Sequence, residues 1–320
     1  MNAYSKKEIV TLEKEALPLL LRQIPDPPQS LFACGNTSLL SNHDTSRETK
    51  FLCVVGSRRF TSYGQGICQT FIKSLTGLPV VIVSGLALGI DGIAHRAALD
   101  AGLKTIAVPG SGLDPDIIYP RTHAYLAEEI VKKDGLLLSE YPPTMRASPW
   151  SFPMRNRIMA GMSHAVLIIE AEEDSGTLIT ARLALDYNRD VGCIPGSILS
   201  ENSRGTNSLI RKGAAPITTT DELKELLGFD IIQPPLFDGK DIHPNPYHQC
   251  SKAELSVIDN LREPLSRDNI ALMCKLPISQ LHVILSMLEI RGLISESYGM
   301  VALRYPPPRG IILGEDLAKQ

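Results

Sequence analysis

The chain has 320 residues, of which 43% are hydrophobic, and a formal net charge of −3 at pH 7. That length suits one large or two modest domains with an ordinary core, and no apolar run approaches the roughly 20 residues of a membrane-spanning helix. A negative balance excludes a uniformly basic chain but leaves room for local basic patches.

The opening MNAYSKKEIVTLEKEALPLLL carries charges into its apolar stretch and has no small-residue cleavage site. It is expected as a soluble helix rather than a signal peptide. The prolines of IPDPPQSLFACGN disfavour regular structure, and SLLSNHDTSRETK reads as a polar, exposed connection. Residues 1–48 are therefore expected as an N-terminal extension.

Apolar runs then alternate with helical stretches across 49–228: FLCVVGS, PVVIVSG, KTIAVPG, GLLLSEY, HAVLIIEA and DVGCIPG. They are rich in Val, Ile and Leu and do not alternate with polar residues, the pattern of strands buried on both faces. Strand, glycine turn and helix in repetition predict an α/β fold, a Rossmann-like, doubly wound and mainly parallel sheet. Such folds bind ligands beyond the carboxyl ends of their strands.

Residues 229–250 are proline-rich and aperiodic, and are expected as a linker. From 251 to 305 the pattern changes to three amphipathic helices and a small β-ribbon, a winged-helix-like domain. Its first helix opens with a Ser251-x-x-Glu254 capping box, and Gly292 ends its third. That third helix offers almost no cation except Arg291, so tight duplex binding is not expected. An interaction or dimer role suits it better. Residues 306–320 form a tail.

Four segments carry the candidate chemistry. Gly56, Ser57, Arg58 and Arg59 follow the first long strand. Ser84 and Gly85 end the second, ahead of Asp91 and His95. Asp91 is a natural N-cap, and a structural pair with His95 is favoured over an acid–base pair. Arg121 opens a helix after a Gly/Pro loop and is a plausible phosphate contact. Phe152 and Pro153 precede Arg155, Asn156 and Arg157, which cannot all face outward on a helix; Asn156 is the expected structural member. Ser175, Gly176 and Thr177 open a further helix, whose first N–H groups suit an anion. Arginine forks suit phosphate. Trp150, Phe152, Tyr63 and Tyr141 are the candidate base-stacking rings. There is no GxxxxGK[ST], no GxGxxG after the first strand and no GxSxG, so neither a catalytic site nor a cofactor is expected. The six cysteines lack CxxC spacing and the seven histidines lack metal spacing, which predicts free thiols, no metal and a reducing cytoplasm.

In order along the chain, IPDPPQSLF, VVGSRRFTSYG, SGLALGIDGIAHRAAL, TIAVPGSGLDPDIIYP, LLLSEYPP, FPMRNRIMAG, EAEEDSGTLITARLA and IPGS…GTNSLIRKGA resemble the DNA-processing protein DprA/Smf family. The resemblance spans roughly residues 20–228, and the C-terminal module also fits. It implies a Rossmann-like core that binds single-stranded DNA without cutting it, forms a homodimer and delivers the RecA recombinase during recombination or natural transformation. By position, Gly56-Ser57-Arg58, Arg155-Asn156-Arg157 and Ser175–Thr177 match the family's motifs. Leu88 stands where the family usually has Arg or Lys, and His123 where it usually has Asn. Many members begin with a helical domain; here a short segment precedes the core. A related fold supports an alternative reading, a LOG-type phosphoribohydrolase or a nucleotide sensor. The acid that such hydrolysis would need is missing, because Thr180 occupies its place.

Overall fold

The six apolar runs become six adjacent parallel strands. The structure is a computed structural model that describes residues 8–40, 49–229, 247, 250–297 and 299–304. The chain divides into two units, Met1–Ile232 and Gln233–Gln320. The connection at 41–48, most of the proline-rich segment and the tail at 306–320 lie outside the described residues.

In chain order the first unit contains β1 (Val10–Glu13), α1 (Leu19–Arg22), β2 (Ser30–Gly35), β3 (Lys50–Val55), α2 (Ser62–Lys73), β4 (Val80–Ser84), α3 (Ile90–Asp100), β5 (Lys104–Ala107) and α4 (Ala124–Lys132). It continues with β6 (Leu136–Ser139), α5 (Ser151–Met162), β7 (Ala165–Ile168), α6 (Thr177–Asp186), β8 (Asp190–Cys193), α7 (Glu201–Arg211), β9 (Ala215–Pro216) and α8 (Thr220–Leu226). The described strands form one nine-stranded sheet in the order β1-β2-β6-β5-β4-β3-β7-β8-β9. From β6 to β9 every pairing is parallel. Successive residues of β3 face opposite layers: Phe51, Cys53 and Val55 join Ile158, Met159 and Ala181 beneath α5 and α6. Leu52 and Val54 join Phe71, Ile72, Ile90 and Ala94 beneath α2 and α3. This is the period-two division of a strand covered on both sides. The architecture is a Rossmann-like, doubly wound sheet.

The N-terminal segment departs from expectation. Instead of one helix, Val10–Glu13 pairs antiparallel with Ser30–Gly35, which pairs antiparallel with β6. Pro18 holds the N-cap of α1, and Gln23 caps its other end two residues before Pro25, so the helix has four residues. The prolines at 25, 27 and 28 precede β2 and leave its ladder N–H groups intact. Leu31 and Ala33 enter one core layer and Cys34 another, so the segment extends the sheet.

The second unit contains α9 (Lys252–Asn260), β10 (Leu265–Ser266), α10 (Arg267–Cys274), α11 (Ile278–Ile290), β11 (Ile294–Ser297) and β12 (Met300–Leu303). Its strands lie in the order β10-β12-β11, a winged-helix arrangement. The capping box is formed: Ser251 accepts from the Glu254 N–H, and Glu254 accepts from the Ser251 N–H. Gly292 ends α11 with φ +69°, a conformation that favours glycine. Val257, Ile258, Ile270, Leu281, Leu285 and Leu288 form its core. The opposite side of α11 exposes Val283, Met287 and Ile290. Arg291, just past α11, is ion-paired with Glu254 at 3.4 Å. Among the described residues no single helix is long and apolar enough to cross a membrane.

Candidate functional site

Connections from β3 run to β4 on one side of it, and the chain later returns on its other side as β7. That reversal opens a crevice at the carboxyl ends of the strands, where doubly wound folds hold ligands. A cleft of about 600 Å³ lies there, lined by residues that follow β3, by Phe152, Pro153, Arg155 and Asn156 of α5, and by Glu172 and Asp174 to Thr177 ahead of and opening α6.

The loop after β3 is fixed by backbone and side-chain bonds. The Ser57 N–H donates to the Glu170 carbonyl at 2.7 Å, and the Arg59 N–H donates to Ser57 Oγ at 3.0 Å. Asn202 Nδ2 donates to the Arg59 carbonyl at 2.7 Å. The Glu170 carboxylate accepts from the Thr61 N–H at 2.9 Å and from Thr61 Oγ1 at 2.5 Å, while Thr61 caps α2. Gly89, at φ +81°, lets the neighbouring loop close on the same turn: a Cβ there would lie 2.7 Å from Arg58 Cα. The outcome is a rigid turn from which the Arg58 and Arg59 side chains project into solvent. Arg58 lies over the Phe152 ring, 5.4 Å from its centroid.

The arginines of α5 have a different position from the one the sequence suggested. Arg155 is only 4% exposed and Arg157 8%. Arg155 Nη1 donates to the carbonyls of Gly85 (2.6 Å) and Val108, and its Nε donates to Asn156 Oδ1 at 3.1 Å. Arg157 Nη2 donates to both oxygens of Glu140 at 2.5 and 2.6 Å, and its Nη1 to the Asp26 carbonyl at 2.9 Å. Two arginines, not Asn156 alone, are therefore tied into the structure. Arg155 satisfies the Gly85 and Val108 carbonyls and so holds the cleft wall, while Arg157 ties α5 to Glu140 and to the Asp26 carbonyl.

Ser84 and Gly85 are also structural. Ser84 is fully buried and its Oγ donates to the Val54 carbonyl at 2.7 Å. Gly85 leaves room for the Arg155 guanidinium, which a Cβ would strike. Asp91 does not cap α3; Gly89 holds the cap position, and Asp91 Oδ2 accepts from the Gly85 N–H at 3.1 Å. Burial pushes the Asp91 carboxyl up, against the pull of Arg155 and of the Ala87 and Gly85 N–H groups. His95 turns instead to Thr105, 2.8 Å away, and burial lowers it to about 3, with His123 and Arg155 acting in the same direction. His123 Nδ1 lies 2.9 Å from the Leu86 carbonyl and secures the same loop. Arg121 bonds within its own loop, to the Pro115 carbonyl at 2.7 Å and to Asp116 at 3.7 Å.

At the start of α6 the Thr177 N–H donates to Ser175 Oγ at 3.2 Å, and Thr177 Oγ1 donates to the Gly56 carbonyl at 3.2 Å. The N–H groups of Leu178 and Ile179 donate to the carbonyls of Ser175 and Gly176. Much of the expected anion-binding capacity is thus already used. Glu172 and Asp174 add carboxylates to the cleft, leaving Arg58 and Arg59 as its exposed cations. Tyr141 is buried, its hydroxyl on the Ser151 carbonyl at 3.1 Å, and offers no open face for stacking. Sequence reading missed Glu170 and Asn202. An acid at the end of a buried strand, as in LIIEA, was the available signal for the first; nothing local marks the second.

Fold and cleft define a Rossmann-like α/β protein with a crevice at its switch point and a winged-helix unit later in the chain. Comparison with known proteins makes this specific. The DNA recombination-mediator protein A family matches residues 8–228, and the DprA winged helix domain matches residues 244–300. The chain belongs to the DNA recombination-mediator protein A family. It is similar to the DNA processing protein DprA of Bacillus subtilis (strain 168), 39% identical over 71% of this chain and 74% of that one. It is also similar to Protein Smf of Synechocystis, 33% identical over 92% of this chain and 79% of that one. The crystal structure of DprA from Streptococcus pneumoniae aligns with TM-score 0.64 at 39% identity, over 70% of this chain and 76% of that one. DNA processing protein A from Helicobacter pylori, whose structure concerns its single-stranded DNA binding mode, aligns with TM-score 0.62 at 33% identity, over 71% of this chain and 98% of that one.

Proposed function

We propose that this chain binds single-stranded DNA without sequence preference, through phosphate contacts in the cleft, and assists a RecA-type recombinase in recombination or DNA uptake. It works as a homodimer in the cytoplasm, by binding rather than by catalysis. The observation that carries the reading is the rigid Gly56–Arg59 turn at the switch point, with Arg58 and Arg59 exposed beside it. Fixed cations at the mouth of a crevice position a sugar–phosphate backbone without reading bases. The single-stranded DNA binding mode described for the Helicobacter pylori relative supports the choice of ligand.

Gly56, Ser57, Arg58, Arg59, Asn156 and the Ser175–Thr177 turn are the proposed contacts, with Phe152 packed behind Arg58. Ser84, Gly85, Arg155 and Arg157 build the walls behind them, and Arg121 stays with its own loop. Thr180 is buried where a phosphoribohydrolase reading would need an acid, which favours binding over hydrolysis. The apolar exposed side of α11 favours an interaction role for the winged-helix unit over duplex reading.

Fluorescence anisotropy with a labelled dT oligomer across a salt series tests the reading. Affinity should fall with salt, and Arg58→Ala should weaken binding and reduce the log–log salt slope by about 1. Absence of binding at low salt by folded protein, or saturable preference for a mononucleotide, would remove the proposal.

A further inference from the structure

Phe152 is an aromatic ring in the cleft wall, but its surroundings are largely filled. Arg58 covers the ring from 5.4 Å, and Tyr119 packs against it with centroids 5.7 Å apart and planes at 49°. The same ring is wedged against Gly110, where a Cβ would come within 2.6 Å of it. Tyr119, by contrast, is 50% exposed. It sits in the loop that sequence reading valued for Arg121. That arginine is engaged by Pro115 and Asp116, so what the loop brings next to the cleft-lining Phe152 is the Tyr119 ring rather than a cation. Arg58 and Tyr119 each contact the Phe152 ring, which puts an exposed cation and a half-exposed aromatic ring beside the same side chain.

We propose that Tyr119 is a base-stacking residue that receives the nucleobase next to the phosphate held at Arg58, and that it makes the track selective for unpaired strands. This rests on the cleft binding single-stranded DNA. A cation grips a phosphate of either a single or a double strand, so the arginines alone give little discrimination. An aromatic face discriminates, because bases in a duplex are already stacked on each other and present only edges. Stacking tolerates any base, since each has a π-face. The ligand class is therefore a single-stranded nucleic acid with accessible bases. Phe152 acts as a positioning residue that backs Tyr119 and fixes Arg58.

The test compares two probes of equal charge, a labelled dT 15-mer and a 15-mer of abasic deoxyribose phosphate, in anisotropy titrations across salt. Full-length protein is used, as wild type, Tyr119→Phe, Tyr119→Leu and Tyr119→Ala. Tyr119→Leu retains apolar packing on Phe152 without a flat ring, which separates stacking from local collapse. Tyr119→Leu and Tyr119→Ala should each lose on the order of tenfold in affinity for dT, with abasic affinity and salt slope unchanged, and Tyr119→Phe should bind as wild type does. If the Leu and Ala variants keep the wild-type ratio of dT to abasic affinity, the stacking role is overturned while the cleft reading stands. If wild type binds neither probe at low salt, the cleft reading fails and takes this proposal with it.

Discussion

Replacing Arg155 with Leu separates an arginine that builds the cleft from one that touches a ligand. The substitution removes the donors to the Gly85 and Val108 carbonyls and to Asn156 Oδ1. A buried acceptor left without a partner costs about 1–3 kcal/mol, and breaking a buried charge partnership about 3–5 kcal/mol. These costs overlap, because Asp91, whose carboxyl burial already pushes up, can take a proton once Arg155 is gone. A net loss of about 3–5 kcal/mol is expected near neutral pH. Urea denaturation followed by circular dichroism measures it. The molecules that remain folded should keep the wild-type salt slope for dT binding, since the phosphate contacts proposed above are at Arg58 and Arg59. A stability loss below about 1 kcal/mol, together with a salt slope reduced by about 1, would show instead that Arg155 meets phosphate directly.

Three further outcomes follow from the same geometry. Arg157→Ala should destabilise the fold by about 2–4 kcal/mol in urea denaturation, because it strips Glu140 of a two-point partner and frees the Asp26 carbonyl. Glu172→Gln and Asp174→Asn should each strengthen dT binding by roughly two- to fivefold at low salt, as carboxylates in the cleft repel phosphate; weaker binding in anisotropy would count against an anionic ligand. His95 is held neutral, its value lowered from 6.5 to about 3. Its contribution is thus complete above pH 6.5 and is lost as pH falls toward 3, by about 1.4 kcal/mol per unit between those limits. An NMR titration should find one histidine ring that does not titrate near 6.5, and a ring titrating there in every case would contradict the burial argument.

Six buried strands were legible in the sequence because a strand covered on both faces must be apolar throughout, and their parallel pairing followed from the helices between them. The winged-helix unit was legible from helical periodicity, a capping box and Gly292. The place of the cleft was legible too, since glycine turns mark the carboxyl edge of such a sheet. Which polar groups face it depends on how distant segments pack together. Arg58 and Arg155 look alike in sequence, yet one lies in solvent over Phe152 and the other satisfies carbonyls of Gly85 and Val108, 70 and 47 residues away. Glu170 supports Thr61 across 109 residues, and Asn202 reaches Arg59 across 143. The N-terminal strands were hidden for the same reason: Ser30–Gly35 is a strand only because β6 offers it an edge. Periodicity reports what a segment buries, which local residues encode. Partnership between distant polar groups depends on where the chain returns, and that is fixed when the sheet closes around them.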